Sequence, residues 1–355
     1  MDVDPSKLSG RLSPDPRETW STPWYVPTML RTRFMQMFGL SHPVMSAPMA
    51  LHSGGTLAAA VSAAGGLGSF GGVHPSEGPD WIRAEIATIR SRTDRPFAVG
   101  FITSFLPFVE PLFEAVLAER PAAVALSFGD PDPWISRCKA VGARVICQVQ
   151  NYEHADLAVS GGADVLVAQG TEAGGHTGTM SLLPLLAGVV ARYPDVCLLA
   201  AGGIADGRTL AAALTAGADG AWLGTAFLAT PEAVEVKDHH KRLIVESDGT
   251  DTVFTRIYDI KTGYPWPAGI GERVRRNRFT DEWSEREQEF RDRLAESAAS
   301  SATDQSEPPD PETSEVLYGQ SAGLVNDIRP AAEVVHTISE DAERILRSRP
   351  QSILA

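Results

Sequence analysis

Long apolar runs are absent from this 355-residue chain: no stretch of about 18 consecutive apolar residues occurs, so no transmembrane helix and no membrane partner are expected. Cysteine is scarce. The three present, Cys138, Cys147 and Cys197, form no pair with metal-ligand spacing, which argues against a disulfide framework and a thiolate metal site. Cys147 and Cys197 sit inside apolar runs and read as buried thiols of a reducing compartment, so the expected location is cytoplasmic. The first twenty residues, MDVDPSKLSGRLSPDPRETW, have neither a basic leader nor an apolar core and do not read as a signal peptide. Positive charge is in deficit: 31 Lys and Arg against 45 Asp and Glu leave a net charge of -14, which argues against a nucleic-acid partner. Neither GxxxxGK[ST] nor HExxH occurs.

What is present is a globular composition, 43% hydrophobic and 21% charged, with a repeating pattern. Short apolar runs at 43–47, 66–70, 96–102, 122–127, 144–148, 164–168, 196–201 and 220–223 are too short for helices and lack polar alternation. Strands buried on both faces read this way. Between them, residues 56–64, 80–92, 111–119, 151–160, 181–193 and 206–216 read as helices, with Asn151 and Asp206 placed as N-caps. Eight strand–helix units predict an α/β fold, a (β/α)₈ TIM barrel with a C-terminal, mainly helical appendage. The expected division is an N-terminal extension over 1–30, a barrel core over 31–230 and the appendage over 231–355. Within the appendage, 231–280 reads as charged and irregular, 281–299 as an exposed helix and 331–347 as a closing helix. The stretch 300–315 reads as a flexible acidic segment.

A barrel of this kind places its chemistry at the C-terminal ends of its strands. After the first run stands Ala47-Pro48-Met49-Ala50, and after the second Gly71-Gly72. After the sixth comes AQGTEAGGHTG, residues 168–178, a polar, glycine-dense loop carrying His176, the side-chain type that titrates nearest neutral pH. A histidine here serves as general base or as donor to an oxyanion, with Gln169 and Gly174-Gly175 available to a flat ring. After the seventh and eighth runs come Gly202-Gly203 and Gly224-Thr225, turns whose amides can hold a phosphate without Lys or Arg. Two other strings carry less. Gly319-Gln320-Ser321-Ala322-Gly323 matches GxSxG but lies outside the strand–turn–helix context of a nucleophile elbow. Asp238-His239-His240 has no placed third ligand, so no metal is expected.

AQGTEAGGHTG, AAGGI and LGTAF, in this order, resemble the nitronate monooxygenases, formerly grouped as 2-nitropropane dioxygenases; APMA, TGYPWPAGIGERVRRN and YGQSAGLV fit too, so the likeness spans roughly residues 30–347. The resemblance implies one non-covalent FMN and no metal. It also implies oxidation of alkyl nitronates, or nitroalkanes, by dioxygen to a carbonyl compound and nitrite. Carried over by motif, His176 is the active-site histidine that touches substrate, and Ala47, Met49, Gln169, Gly174 and Gly175 belong to the flavin site. Gly202, Gly203 and Trp222-Leu223-Gly224-Thr225 would hold the ribityl phosphate, and Tyr318, Gly319 and Gln320 would sit by the ring and substrate. The chain departs from many members by Gly100 after the third strand and Trp222 in the eighth. Rival readings on the same scaffold are an FMN-dependent NAD(P)H enoyl-thioester reductase and a quinone reductase. IMP dehydrogenase-like chemistry lacks its loop cysteine. A rival of another class is a non-catalytic flavin binder, which has no use for His176.

Overall fold

The computed structural model describes residues 29–298, 310 and 312–354; most of the N-terminal extension and most of the acidic segment 300–315 lie outside the described residues. Each of the eight sequence-read runs coincides with a strand: β1 (Val44–Ser46), β2 (Gly68–Gly71), β3 (Phe97–Ile102), β4 (Ala123–Ser127), β5 (Arg144–Val149), β6 (Val165–Gln169), β8 (Cys197–Ala201) and β9 (Gly220–Leu223). All run parallel in the order β1-β9-β8-β6-β5-β4-β3-β2. A parallel bridge between Met45 and Leu67, with Leu67 N donating to Val44 O at 2.9 Å, closes the ring. The absence of polar alternation has its cause here, because both faces of each strand are covered. Met45, Ala125, Ile146, Val167, Leu199 and Trp222 share one cluster inside the barrel. Their neighbours Val44, Val124, Val145, Leu166, Leu198 and Leu223 pack outward among the helices.

The helices α2 (Gly55–Ala63), α3 (Pro79–Arg92), α4 (Glu110–Ala118), α6 (Tyr152–Gly161), α7 (Leu182–Arg192) and α8 (Gly207–Thr215) match the sequence-read set. Asn151 and Asp206 cap as expected: their side-chain oxygens accept from His154 N and Thr209 N, each at 2.8 Å. Helix α5 (Trp134–Ala140) was not read. It spans seven residues and buries only Ile135 and Cys138, too few to show a period. Helix α1 (Arg33–Phe38) was also not read, and it plugs the barrel at the N-terminal ends of the strands. Phe34 enters the interior cluster, and Arg33 clamps Asp219 just before β9, with Nε donating at 3.0 Å to each carboxylate oxygen.

Beyond β9 the chain continues through α9 (Thr225–Leu228), α10 (Asp238–Glu246), α11 (Ile257–Thr262), α12 (Arg278–Trp283), α13 (Glu287–Ala298) and α14 (Ala331–Ile353). Helix α14 lies on α8 and α2, and its His336 Nε2 reaches Ala64 O at 3.2 Å. The region that reads as irregular, 231–280, holds two strands, β10 (Thr252–Thr255) and β11 (Gly271–Arg275). They join β7 (Gly175–Thr177), a strand inside the His176 loop, in an antiparallel sheet of order β10-β11-β7. These strands escape sequence reading because most of their buried side chains are polar: Thr252, Thr255, Glu272 and Arg273 stand beside a single buried apolar one, Val274, and give no apolar alternation. Among the described residues no helix is long and apolar enough to cross a membrane.

Phe34→Ala would leave a void at the barrel floor that the parallel strands cannot collapse to fill. A loss of about 3–5 kcal/mol is expected, measurable by denaturant unfolding.

Candidate active site

One cavity of about 880 Å³ opens at the C-terminal ends of the barrel strands, large enough for a cofactor and a substrate together. Ala47 and Met49 line it after β1, Gln169 at the end of β6, and Gly174, Gly175 and His176 in the loop that follows. Gly202, Gly203, Trp222, Gly224 and Thr225 line it after β8 and on β9, and Tyr318 closes one side. Three named residues do not line it: Leu223, Gln320 and Gly319, the last buried against the backbone of the loop after β6. Leu223 alternates away from Trp222 and packs among the helices. Gln320 is exposed; its amide donates to Glu172 O at 3.0 Å, which anchors the chain rather than presenting the side chain to a ligand.

The backbone explains the glycines. Gly202 and Gly203, both on the cavity wall, adopt φ of +96° and +71°, left-handed values that strain any residue with a Cβ. A Cβ on Gly174 would stand 2.3 Å from Gly319 N, so the loop after β6 and the C-terminal strap touch backbone to backbone. Gly319 N in turn donates to Thr225 Oγ1 at 3.0 Å. The departure at Gly100 has a steric cause, because a Cβ there would meet Pro48 Cγ at 2.2 Å. Tyr318 is buried with its hydroxyl donating to Asp251 Oδ2 at 2.6 Å. Its polar end is thus spoken for.

His176 is held on every side. Its carbonyl accepts from Gln169 Nε2 at 2.9 Å, and Gln169 Oε1 accepts from Gln150 Nε2 at 3.0 Å. Its ring stacks on Trp266, centroids 3.5 Å apart at 13°, with Phe128 edge-on to both. Phe128 itself sits at φ +62°, a strained backbone for an aromatic residue and a mark of a position the surrounding fold dictates. Nε2 lies 2.9 Å from Asp259 Oδ1. A carboxylate only accepts, so Nε2 carries the hydrogen and, in the neutral ring, Nδ1 carries the lone pair. Nδ1 makes no hydrogen bond within the described residues and is not among the buried unpartnered atoms, so it is open to the cavity.

Behind this pair stands Glu272, opposite His176 in the β7–β11 register and fully buried. Neither of its carboxyl oxygens finds a hydrogen bond of good geometry, and Asp259 Oδ2 is equally buried and unpartnered. His176, Asp259 and Glu272 each offer an atom within 4.8 Å of the others, close enough to span a cation if Glu272 were ionised. Burial first, then the neighbouring Glu315, pushes its carboxyl far above the usual carboxylate range, so at neutral pH it is a neutral acid. Sequence reasoning missed Asp259, Trp266, Phe128 and Glu272. The stretch TGYPWPAGIGERVRRN stands out in the sequence, but no spacing ties it to a loop about ninety residues earlier. The remaining motifs resolve as structure. His240 is buried, with Nε2 donating to Leu317 O at 2.8 Å, and burial lowers it to about 4. All three cysteines are free and buried, each thiol pushed up to about 12 by burial.

The family model for nitronate monooxygenase matches residues 31–111 and 109–341. The chain belongs to the nitronate monooxygenase family. A nitronate monooxygenase of Neurospora crassa is 34% identical over 351 residues, covering 85% of this chain and 89% of that one. Among solved structures, FabK from Thermotoga maritima superposes with a TM-score of 0.77 at 31% identity, covering 91% of this chain and 99% of that one. The nitroalkane oxidase of Streptomyces ansochromogenes gives 0.70 at 28% identity, again over 91% and 99%. As a nitronate monooxygenase family member, the chain carries the glycine-loop histidine and both glycine turns in one cavity.

A neutral, buried Glu272 has a consequence for stability. The folded state keeps a proton that the unfolded state releases near the ordinary carboxylate value, so wild-type stability falls as pH rises through and above that value. Glu272→Gln cannot ionise. Its stability advantage over wild type should grow between pH 5 and pH 9, by at most about 1.4 kcal/mol per pH unit. A difference that stays flat with pH would show that Glu272 is ionised in the fold.

Proposed function

We propose that the protein binds FMN and oxidises alkyl nitronates, or the parent nitroalkanes, with dioxygen to a carbonyl compound and nitrite. The observation that carries this reading is His176, whose Nδ1 opens into the same cavity as the Gly202-Gly203 and Gly224-Thr225 turns. The residues fit the cofactor. Positive-φ glycines offer amides to a phosphate, and a Cβ on Gly175 would project into open space, room that a ring can take. On this reading Gly203 and the Trp222–Thr225 stretch hold the phosphate, and Ala47, Met49 and Gly174 border the ring. One Gln169 amide hydrogen remains free, since the other is bonded to His176 O and Oε1 to Gln150. Residues 31–230 form the cofactor-binding core, and described residues beyond 230, among them Asp259, Trp266 and Tyr318, complete its wall. The buried free thiols support a reducing, cytoplasmic setting.

FMN supplies the electron acceptance and the reaction with dioxygen. The chain's own residues do the rest. A nitronate is already a carbanion equivalent, so His176 has only to hold its oxygens and orient it. A neutral nitroalkane must first lose its α-proton, and Nδ1 is placed to accept it. Phe105, Phe128 and Trp266 form an apolar wall that keeps water from this position. The FabK likeness supports a reductase as a second reading. Against it, the described residues that line the cavity include no Lys or Arg to meet the phosphates of a pyridine nucleotide or an acyl carrier.

Anaerobic mixing of the yellow holoprotein with a nitronate, then separately with NADH and NADPH, decides between them. Bleaching by nitronate alone supports the oxidation, whereas rapid bleaching only by a pyridine nucleotide favours the reductase. His176→Asn should cut turnover with flavin retained, and a colourless protein unable to take up FMN removes every flavin reading.

A further inference from the structure

We propose that Asp259, backed by Glu272, is the positioning pair that makes His176 a proton acceptor for neutral carbon acids: Asp259 Oδ1 takes Nε2–H, which leaves the Nδ1 lone pair facing the cavity. The proposal rests on the substrate class argued above and goes beyond it, because a preformed nitronate needs no base. Three observations carry it. The Nε2–Oδ1 distance is 2.9 Å, while Trp266 stacked at 3.5 Å stops the ring from rotating out of that bond. Asp259 Oδ2 is buried and lacks a partner, Glu272 is fully buried beside it, and each of the three residues offers one atom within 4.8 Å of the others. The β7–β11 register places Glu272 directly across from His176, so the backbone ladder itself sets the spacing.

The charges balance on this arrangement. Glu272, held neutral by burial and by the neighbouring Glu315, has one O–H to give, and two carboxylates compete for it, Glu315 and Asp259, of which Asp259 Oδ2 is buried and has no other partner. Asp259 then accepts from both sides, its charge shared between two donors. When the α-proton of a nitroalkane moves from carbon to Nδ1, the carbon keeps the bonding electron pair as nitronate and the ring becomes an imidazolium. Its Nε2–H already faces a carboxylate, so no reorganisation is needed to stabilise the new charge. Glu315, exposed at the cavity wall near Glu272, offers the route by which the carboxyl proton can re-equilibrate with solvent. No single-letter motif marks this set, because Asp259, Glu272 and His176 come from α11, β11 and β7.

The test separates proton abstraction from oxidation. Exchange of the α-hydrogens of nitroethane in D₂O, followed by NMR under anaerobic conditions, reads the base directly; aerobic oxidation of the preformed ethyl nitronate reads the rest. Asp259→Asn should lower exchange by at least about 10–100-fold, the cost of losing the partner that orients a metal-bound imidazole. Oxidation of the nitronate should fall far less, and Asp259→Glu should recover part of the exchange. ¹⁵N-histidine NMR should show His176 as the Nε2–H tautomer in wild type and lose that preference in Asp259→Asn. If Asp259→Asn does not fold, Glu272→Leu against Glu272→Gln carries the same comparison, Gln recovering exchange because it keeps a neutral donor. Equal losses on nitroethane and nitronate, an Nδ1–H tautomer in wild type, or wild-type protein that catalyses no exchange would each overturn the proposal. Wild-type protein with Asp259-dependent exchange but no nitronate oxidation would uphold the pair and overturn the proposed function instead.

Discussion

The antiparallel pairing of β7 with β11 is the constraint on which the rest of the site depends. It joins the loop after the sixth barrel strand to a segment about ninety residues later, with Gly271, Glu272 and Arg273 facing Thr177, His176 and Gly175. A glycine-dense loop has little stiffness of its own, since glycine retains more backbone freedom than any other residue. Docked on β11, the same loop becomes part of a sheet, and the His176 backbone loses that freedom before any ligand arrives. Arg273 reinforces the junction from the far side, Nε donating to Thr171 O at 2.7 Å. This is the preorganisation a catalytic side chain requires, supplied by main-chain hydrogen bonds rather than by the loop's own sequence.

The second constraint is electrostatic. The cavity wall described here carries Asp259 and Glu315 with Glu272 just behind, and no Lys or Arg. Phosphate can still be held there because amides in glycine turns provide localised positive potential without a net charge. A nitro compound asks for little more than an apolar wall, a donor or acceptor at one point, and space. The apolar residues around His176 meet that demand. They come from different units: Phe128 after β4, Phe105 after β3 and Trp266 from the segment before β11. The likeness to FabK and to a nitroalkane oxidase over 91% of the chain shows one scaffold under differently named proteins.

The Asp259–Glu272 pair also illustrates how a polar cluster is tolerated in a core. Two adjacent buried carboxyl groups cannot both ionise without large cost, so one keeps its proton. Glu272 keeps it because it is the more deeply enclosed, in a sheet whose strands cover it on both sides. Its cost to folding is returned locally as a fixed orientation for Asp259 and, through it, for the imidazole.

All eight barrel strands, six of the helices and two N-caps were legible in the chain itself, because each rests on short-range physics: apolar runs buried on two faces, a helical period, an Asn or Asp ahead of a helix. The glycine turns and His176 were legible for the same reason, each sitting directly after a recognisable strand. Strands β10 and β11 were not, because Glu272 and Arg273 are buried polar residues whose partners lie far away in sequence. Nor could any spacing reveal that Asp259 meets Nε2, that Trp266 stacks on the ring, or that Gln320 turns outward while Tyr318 turns in. Local pattern therefore determined the barrel and the position of its histidine. Tertiary structure alone decided which nitrogen of that histidine faces the cavity, since the tautomer is set by a hydrogen bond between residues 83 positions apart.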